Sequence, residues 1–579
     1  MRSSEQIAPS RRPGSDGGES APITIPRGTY IFTSVVALLL GGAAIIRSTS
    51  GLTPQESDLT SFFFPASTQI LHGHPWAIYA VRAFGGYPNY NPPISIFLMA
   101  PLLALGNALK LNATPGGLIT VVSIPFMAFV LLLGYVAIVA LRRLYPAMPE
   151  TQRFLAFILV VFSPLTWQTF TIWYHLEQPL MLALLVGAIV AFQARREGVA
   201  GVLAGLAVLT RTTAIVPLIA FGVMLLIERH WRPLLRFGGA AAVVVLVGLA
   251  PFFAFDRANT TYSLVSWRGG AEIGGNSIWS LVRYDGAQAS SPLRYTLDHL
   301  ARRLDMYTVI LVVAIVAILA VRRLHVGSYG REAWAVLSIA ALAVPMLSKN
   351  NWPYYYLEPF IFLLIWEFSS MHDRRSGVWR WPVLTLSYLS VAATLSQFIG
   401  LRSVGYGDRV AVGLVEFGTM FAFALAVWQR AHAGRAEPSA AVGNAAAWGG
   451  AAQRPGRPQQ PPVAQPAAER QWPAGGQPAP GPISVAGQPA IWPPTPVAGP
   501  VRPPEGWRPA GAKGSPQQQA ERRPPSPPPP ASQSSGNWAM PPLPAYPPAP
   551  EQPAPHSAPP DWLNSEKSGP GQQWPNGGR

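Results

Sequence analysis

The sequence predicts an all-α polytopic membrane protein of about 12 transmembrane helices, with a long first external loop carrying an interfacial helix and a disordered Pro-rich C-terminal tail. Three observations predict this. Of the 579 residues 49% are apolar and 12% are charged, and a long polar tail dilutes both figures, so the front three-quarters is too apolar for a soluble domain. Apolar runs of about 20 residues recur along it, and only helices satisfy their own backbone groups within hydrocarbon. Beyond about residue 434 the composition switches to Pro, Gln, Ala, Gly and Ser, and this stretch holds more than half of the 62 prolines.

Residues 1–29 are polar and are expected to form a disordered cytoplasmic N-terminus. The apolar run 30–46 is read as a retained span, because a long polar segment precedes it and 41–50 offers no small-x-small cleavage site. Further spans are expected at 118–141, 154–172, 179–194, 199–210, 213–227, 234–255, 306–321, 333–347, 354–368, 383–399 and 410–428. The two short runs 199–210 and 213–227 read as one helical hairpin split at Arg211.

Segment 93–111 is apolar enough to be another span, and charge decides against it. With Arg2, Arg11, Arg12 and Arg27 inside, an extra crossing places Arg142–Arg143, Arg195–Arg196 and Arg374–Arg375 outside, against the positive-inside bias. If 93–111 lies along the outer face, all these loops become cytoplasmic. Its Pro92–Pro93 start and internal Pro101 suit an interfacial helix. Both termini are then cytoplasmic, and the membrane domain 30–430 carries two large external loops, 47–117 and 256–303.

The tail, 431–579, cannot bury a core. Its Pro-rich runs favour polyproline II and could dock cytoplasmic partners. The net charge of +16 follows the loops between spans and forms no stripe, so nucleic acid is not an expected partner. The chain has no cysteine, which excludes disulfides, thiol catalysis and cysteine-ligated metals. His72 and His74 at i, i+2 are weak metal ligands and no His-x-x-x-His occurs, so no metal or cofactor is expected.

The polar groups expected at the outer face carry the chemistry. Asp58 lies about a dozen residues past the first span, among Phe62–Phe64, the His72–Trp76 turn and Tyr87-Pro-Asn-Tyr-Asn-Pro-Pro93. It reads either as a solvated loop acid or as a carboxylate held where a lipid headgroup sits. Glu177, with His175 beside it, occupies a short turn before Gln178–Pro179, where an acid also favours the helix macrodipole. Arg211 interrupts two apolar runs; it either snorkels or binds an anion such as phosphate. Lys349 closes a span ahead of Trp352, Tyr354, Tyr355 and Tyr356, as an interfacial anchor or an anion ligand, with Glu358 a possible partner. Glycine clusters at 269–270 and 274–275 lack the strand and the Lys-Ser/Thr of a nucleotide loop.

In this order of elements the chain resembles the GT-C glycosyltransferases, polytopic enzymes that use polyprenyl-phosphate-linked sugars, and among them the bacterial polyprenol-phosphate-mannose-type transferases. The resemblance covers roughly residues 30–430. It rests on the early external acid, the Tyr90-Asn-Pro-Pro93 turn before an interfacial helix, Arg142–Arg143, Phe162-Ser-Pro164, Glu177–Gln178, the run Ala204-Gly-Leu-Ala-Val-Leu-Thr-Arg211 and Gly275-Asn-Ser-Ile278. Relatives often have glycine in place of Glu177 and lysine in place of Arg211.

The resemblance implies inverting transfer of a sugar, mannose-type, to an acceptor hydroxyl on the outer face of a bacterial cytoplasmic membrane. Asp58 and Glu177 are the implied catalytic acids, with Asp58 the general base. Arg211 and Lys349 are the implied donor-phosphate ligands, and Tyr90, Asn91, His175 and Asn276 the implied substrate contacts. The expected partners are a polyprenyl-phosphate-linked sugar donor, a glycan, lipid or protein acceptor of the envelope, and membrane lipids. A transporter or flippase of amphipathic envelope lipids is the alternative; it fits less well because no internal repeat is evident and the polar groups gather on one face.

Overall fold

The computed structural model describes residues 24–50, 58–82, 87–267, 273, 277–283, 292–349, 351–370, 381–400 and 406–448; for 115, 398–400, 406–408 and 434–448 it describes the backbone only. The chain is all-α over these residues. Asn276, residues 1–23 and the tail beyond 448 lie outside them.

Each expected span falls on a helix. The helices are α1 (Arg27–Thr49), α2 (Phe64–Leu71), α3 (Pro93–Ala108), α4 (Pro115–Leu144), α5 (Glu150–Val161), α6 (Pro164–Thr171), α7 (Gln178–Gln193), α8 (Glu197–Thr210), α9 (Ile215–Ile227), α10 (Trp231–Phe255), α11 (Arg257–Thr261), α12 (Pro292–Leu324), α13 (Glu332–Leu347), α14 (Leu357–Ser370), α15 (Val383–Gly400) and α16 (Tyr406–Trp448). Among the described residues six stretches are long and apolar enough to cross a membrane: α1, α4, α5 with α6, α10, α12 and α16. The shorter α7, α13 and α14 are buried almost all round. Helices too short to span hydrocarbon alone are tolerated there because protein, not lipid, surrounds them.

The loops sort into two ends of the bundle. At one end Tyr30 donates to Glu150 (2.8 Å), which also pairs with Arg142 and Arg153. There Arg143 donates to the Gln193 carbonyl, Gln193 to the Gly330 carbonyl, and the Ser328 amide to Glu228. Glu367, near the end of α14, accepts from the backbone of Leu384 and Thr385 at the start of α15 and pairs with Arg430 of α16. Asp58, His175, Glu177, Arg211 and Tyr354 assemble at the other end. The arginine-rich loops therefore share one end and the candidate site the opposite one, as the charge pattern requires.

Helix α3 starts and finishes at the site end. Ser95 donates to the Thr210 carbonyl (3.1 Å), and Gly106 sits so close to Leu118 that a Cβ there would lie 2.8 Å from its side chain. Leu118 begins α4 beside Gly116, where a Cβ would stand 2.3 Å from the Thr49 carbonyl oxygen at the end of α1. Pro93 at the first turn and Pro101 within the helix fit a segment that does not carry the chain across.

Helices α8 and α10 pack at very short range through small residues. A Cβ on Gly201 would lie 2.2 Å from the Phe237 carbonyl oxygen, and one on Gly205 2.7 Å from Val244. This is the small-xxx-small device that brings membrane helices together where no water drives association. It corrects the expected hairpin: α8 packs chiefly on α7 and α10, and α9 on α12 and α13. The two runs meet at Arg211 and have different neighbours.

Two boundaries also shift. α12 begins at Pro292, inside the expected loop 256–303, because its first turns are held by an i, i+4 pair, Arg302 Nε to Asp298 (2.6 Å), with Asp298 buried. α16 runs to Trp448, past the expected start of the tail at 431, through an alanine-rich stretch of high helix propensity.

Candidate active site

The site is assembled by three loops that local sequence chemistry bends back on the bundle. Asp58 precedes a π-turn, Leu59–Phe63, whose Leu59, Phe62 and Phe63 are buried. Ser67 donates to the Ile96 carbonyl (3.1 Å), pinning this segment to α3. The return leg is fixed by Asn89, whose Oδ1 accepts from the Asn91 amide (3.1 Å) while its Nδ2 donates to the Ile78 carbonyl (3.2 Å). That is an Asx-type turn. Through Ser95 and Thr210 the same leg reaches the end of α8, where Arg211 leaves the helix in extended conformation.

The turn between α6 and α7 presents His175 and Glu177. Tyr174 adopts φ +53°, an uncommon left-handed conformation for a bulky residue, and such residues persist where the surrounding structure holds them. Its ring is buried and its hydroxyl bonds Ser48 (3.2 Å), while the His175 amide donates to the Thr169 carbonyl (2.9 Å). These contacts hold the turn so that both side chains point into the cluster.

His175 is the hub. Its Nε2 lies 2.9 Å from Asp58 Oδ2 and its Nδ1 2.8 Å from Glu177 Oε1. Arg211 Nη1 pairs with Glu177 and lies 2.9 Å from His175 Nδ1. The Tyr354 ring covers this group, its centroid 3.8 Å from the imidazole centroid and 4.7 Å from the Arg211 guanidinium. His175, Glu177 and Arg211 are buried, whereas the Asp58 side chain keeps 38% of its exposure. Asp58 is thus the one carboxylate of the chain of contacts that an incoming group can reach.

Electrostatics polarise the cluster. Burial opposes the charged form of Glu177, yet His175 and Arg211 overcome it and hold the carboxyl below its ordinary value. Burial likewise opposes the His175 imidazolium, and Arg211 adds to that, but the Glu177 and Asp58 carboxylates prevail and raise the ring. When His175 is neutral with its proton on Nε2, it donates to Asp58 and its Nδ1 accepts from Arg211. That tautomer leaves the 2.8 Å contact between Nδ1 and Glu177 Oε1 without a proton, whereas the imidazolium donates from both nitrogens, to Asp58 and to Glu177.

Glu358 lies just behind, fully buried. It accepts from the Thr213 hydroxyl (2.6 Å) and more weakly from Gln178 Nε2 (3.4 Å). Lys349 turns elsewhere, its Nζ donating to the Arg302 carbonyl (2.6 Å) and standing 3.8 Å from Asp305. The expected Lys349–Glu358 pair is therefore replaced by pairings to α12 and to Thr213, and the ammonium is committed to Asp305 rather than offered to a phosphate. Asn91 is committed to the turn that carries it. Tyr90 packs on Phe62 (5.4 Å) and acts electrostatically on Tyr354, which puts it beside the cluster. Among the described residues no group of three or more His, Asp or Glu side chains is disposed to hold a metal ion.

The sequence brings Asp58, His175, Glu177 and Arg211 to notice but not the link through His175. A histidine two residues before a glutamate carries no periodic signal, and its second partner is 117 residues away. The roles of Tyr354, Gln178 and Thr213 were equally hidden, because each looked like an interfacial or helix-end residue.

No curated protein matches the chain at a significant level. The model of glycosyltransferase family 87 matches residues 89–348, a stretch that includes α3, the His175–Glu177 turn and Arg211, with Asp58 and Glu358 flanking it. The chain is a polytopic membrane protein, and the part of it that carries the His175–Glu177 turn and Arg211 is similar to glycosyltransferase family 87.

Proposed function

We propose that the cluster transfers a sugar, of mannose type, from a polyprenyl-phosphate donor to a hydroxyl of an envelope acceptor, with inversion at the anomeric carbon. The observation that carries this reading is the contact chain Asp58–His175–Glu177–Arg211, in which a reachable carboxylate and a buried guanidinium are joined through one imidazole. The acceptor oxygen forms its bond to the anomeric carbon as the bond to the phosphate oxygen breaks. The acceptor proton passes to Asp58, and the electron pair leaves with polyprenyl phosphate.

Arg211 supports the leaving group. Its Nε, the Trp173 Nε1 and the Thr212 hydroxyl are buried without a hydrogen-bond partner, and donors in that state suit phosphate oxygens. Glu177 holds the guanidinium by Nη1 and offsets its charge while no anion is near. His175 is a positioning residue: its Nε2 proton fixes one oxygen of Asp58, leaving the other to accept the acceptor proton.

The arginine-rich end faces the cytoplasm under the positive-inside rule, which sets the site on the outer face of the cytoplasmic membrane with both chain termini inside. The lipid donor and an envelope acceptor meet there. The test is transfer of labelled mannose from polyprenyl-phosphate-mannose to an envelope fraction by the purified protein. Absence of transfer from this and other polyprenyl-phosphate hexoses, with transfer from a nucleotide sugar, would overturn the reading.

A further inference from the structure

We infer that Glu358, with Gln178, forms a subsite that reads the hydroxyls of the transferred sugar, so that these residues set donor specificity. The inference rests on the donor reading above and goes beyond it by assigning the sugar ring a place distinct from the phosphate.

Glu358 is a carboxyl in the first turn of α14, at 1% exposure, and its hydrogen bonds come from neutral groups, the Thr213 hydroxyl and the Gln178 amide, both onto Oε1. A carboxyl in such surroundings is expensive, and intramembrane acids are kept where a substrate or ion needs them. Its second oxygen, Oε2, is buried without a hydrogen-bond partner, as are Gln178 Oε1 and Glu177 Oε2. These three acceptors come from adjoining positions: Glu177 and Gln178 are neighbours in the chain, and Gln178 bonds Glu358.

The unpartnered atoms of the cluster therefore divide by chemistry. The donors Arg211 Nε, Trp173 Nε1 and Thr212 Oγ1 suit an anion, and the acceptors Glu358 Oε2, Gln178 Oε1 and Glu177 Oε2 suit a group rich in O–H donors. A glycosyl phosphate has these two halves joined at the anomeric oxygen. A phosphate carries no O–H to satisfy three acceptors when fully ionised, and a polyprenyl chain carries none at all. Buried polar groups left unpaired penalise any ligand that lacks their partners, which is how a site built for hydroxyls rejects an analogue missing one.

The experiment measures binding of two lipids, bare polyprenyl phosphate and polyprenyl-phosphate-mannose, to the intact protein in detergent, and repeats it for Glu358→Gln and Gln178→Met. The wild-type protein should bind the sugar-bearing lipid more tightly than the bare one, by about 10- to 100-fold for a hydrogen bond to a charged acceptor. Glu358→Gln replaces Oε2 with a group that cannot accept and should remove most of that difference, leaving bare-lipid affinity unchanged. Gln178→Met should reduce the difference in the same direction, and it serves if Glu358→Gln does not fold. Mono-deoxy mannose donors locate the reading: the position that the wild type rejects should be tolerated by Glu358→Gln. An undiminished sugar increment in both variants, or no increment in the wild type, overturns the subsite while leaving phosphate recognition standing. Failure of the wild type to bind either lipid overturns the donor reading and the subsite together.

Discussion

His175 Nε2 stands 2.9 Å from Asp58 Oδ2 across 117 residues of chain, and this contact makes one site of a loop acid and a membrane-buried arginine. Replacing the ring tests its role. His175→Phe keeps the packing against Tyr354 and removes both nitrogens, so turnover should fall on the order of 10-fold to 100-fold as Asp58 loses its orientation. The donor KM should change little. Equal losses in kcat and in donor affinity would mark a merely structural role.

The protonation of His175 predicts opposite pH trends for stability and rate. The ring is raised above its ordinary value of 6.5, so its contribution to stability is complete below that value and is lost as pH rises through the raised pKa. Glu177 is depressed, so its contribution holds above the ordinary carboxyl value and is lost as pH falls through the depressed one. Activity should rise while the imidazolium is titrated, since a neutral neighbour leaves Asp58 a stronger base. Thermal melting and kcat measured across pH check this, and His175→Phe should flatten both alkaline changes.

Arg211→Lys should retain part of the activity and Arg211→Met very little. A lysine keeps the charge but loses the planar fork that serves Glu177 and the phosphate together. Removing the guanidinium also breaks a buried ion pair and leaves Glu177 with the His175 contact in its place, and breaking a buried pair costs about 3–5 kcal/mol. The pair Arg211→Met, Glu177→Gln should therefore melt higher than Arg211→Met alone while remaining inactive. Melting curves beside transfer assays separate the two effects.

Small residues at the α8–α10 contact predict a stability effect remote from the chemistry. Gly201→Ala puts a Cβ 2.2 Å from the Phe237 carbonyl oxygen unless the helices separate. Overpacking of this kind costs about 1–3 kcal/mol, and Gly238→Ala, whose Cβ meets nothing within 4 Å, should be neutral. Detergent melting of the two variants is the comparison.

Much of this fold was legible in the sequence because hydrocarbon imposes a coarse rule: apolar runs of helical length read as spans, and the arginines of 142–143, 195–196 and 322–323 sort the loops. The same bookkeeping marked 93–111 as an interfacial segment, and the helix there, α3, is shorter than the six long apolar stretches. What stayed hidden depends on distance in space. Lys349 finds Asp305 on a helix whose start looked like loop, since a charged amphipathic turn such as 298–305 does not read as part of a span. Glu358 read as a span acid in need of a partner, with Lys349 a possible one, and only the fold shows that Thr213 meets it. Asp58 stood out by position, but its link to Arg211 needed the left-handed Tyr174 that turns His175 inward.

Accessibility of single cysteines in this cysteine-free chain checks the side assigned to each end. His74→Cys should react with an impermeant maleimide applied to intact cells, and Ala147→Cys, at the arginine-rich end, only after lysis. Both positions are exposed. Reaction of Ala147→Cys in intact cells would invert the assignment.

The most direct test of the account is Asp58→Asn, assayed for transfer from polyprenyl-phosphate-mannose with donor binding and melting measured on the same preparation. The amide keeps the shape of the carboxylate and can still meet His175, but it cannot take the acceptor proton. Turnover should fall on the order of 10²–10⁴-fold with donor affinity and melting temperature nearly unchanged. A stable Asp58→Asn protein turning over at the parental rate would contradict the assignment of Asp58 as the base.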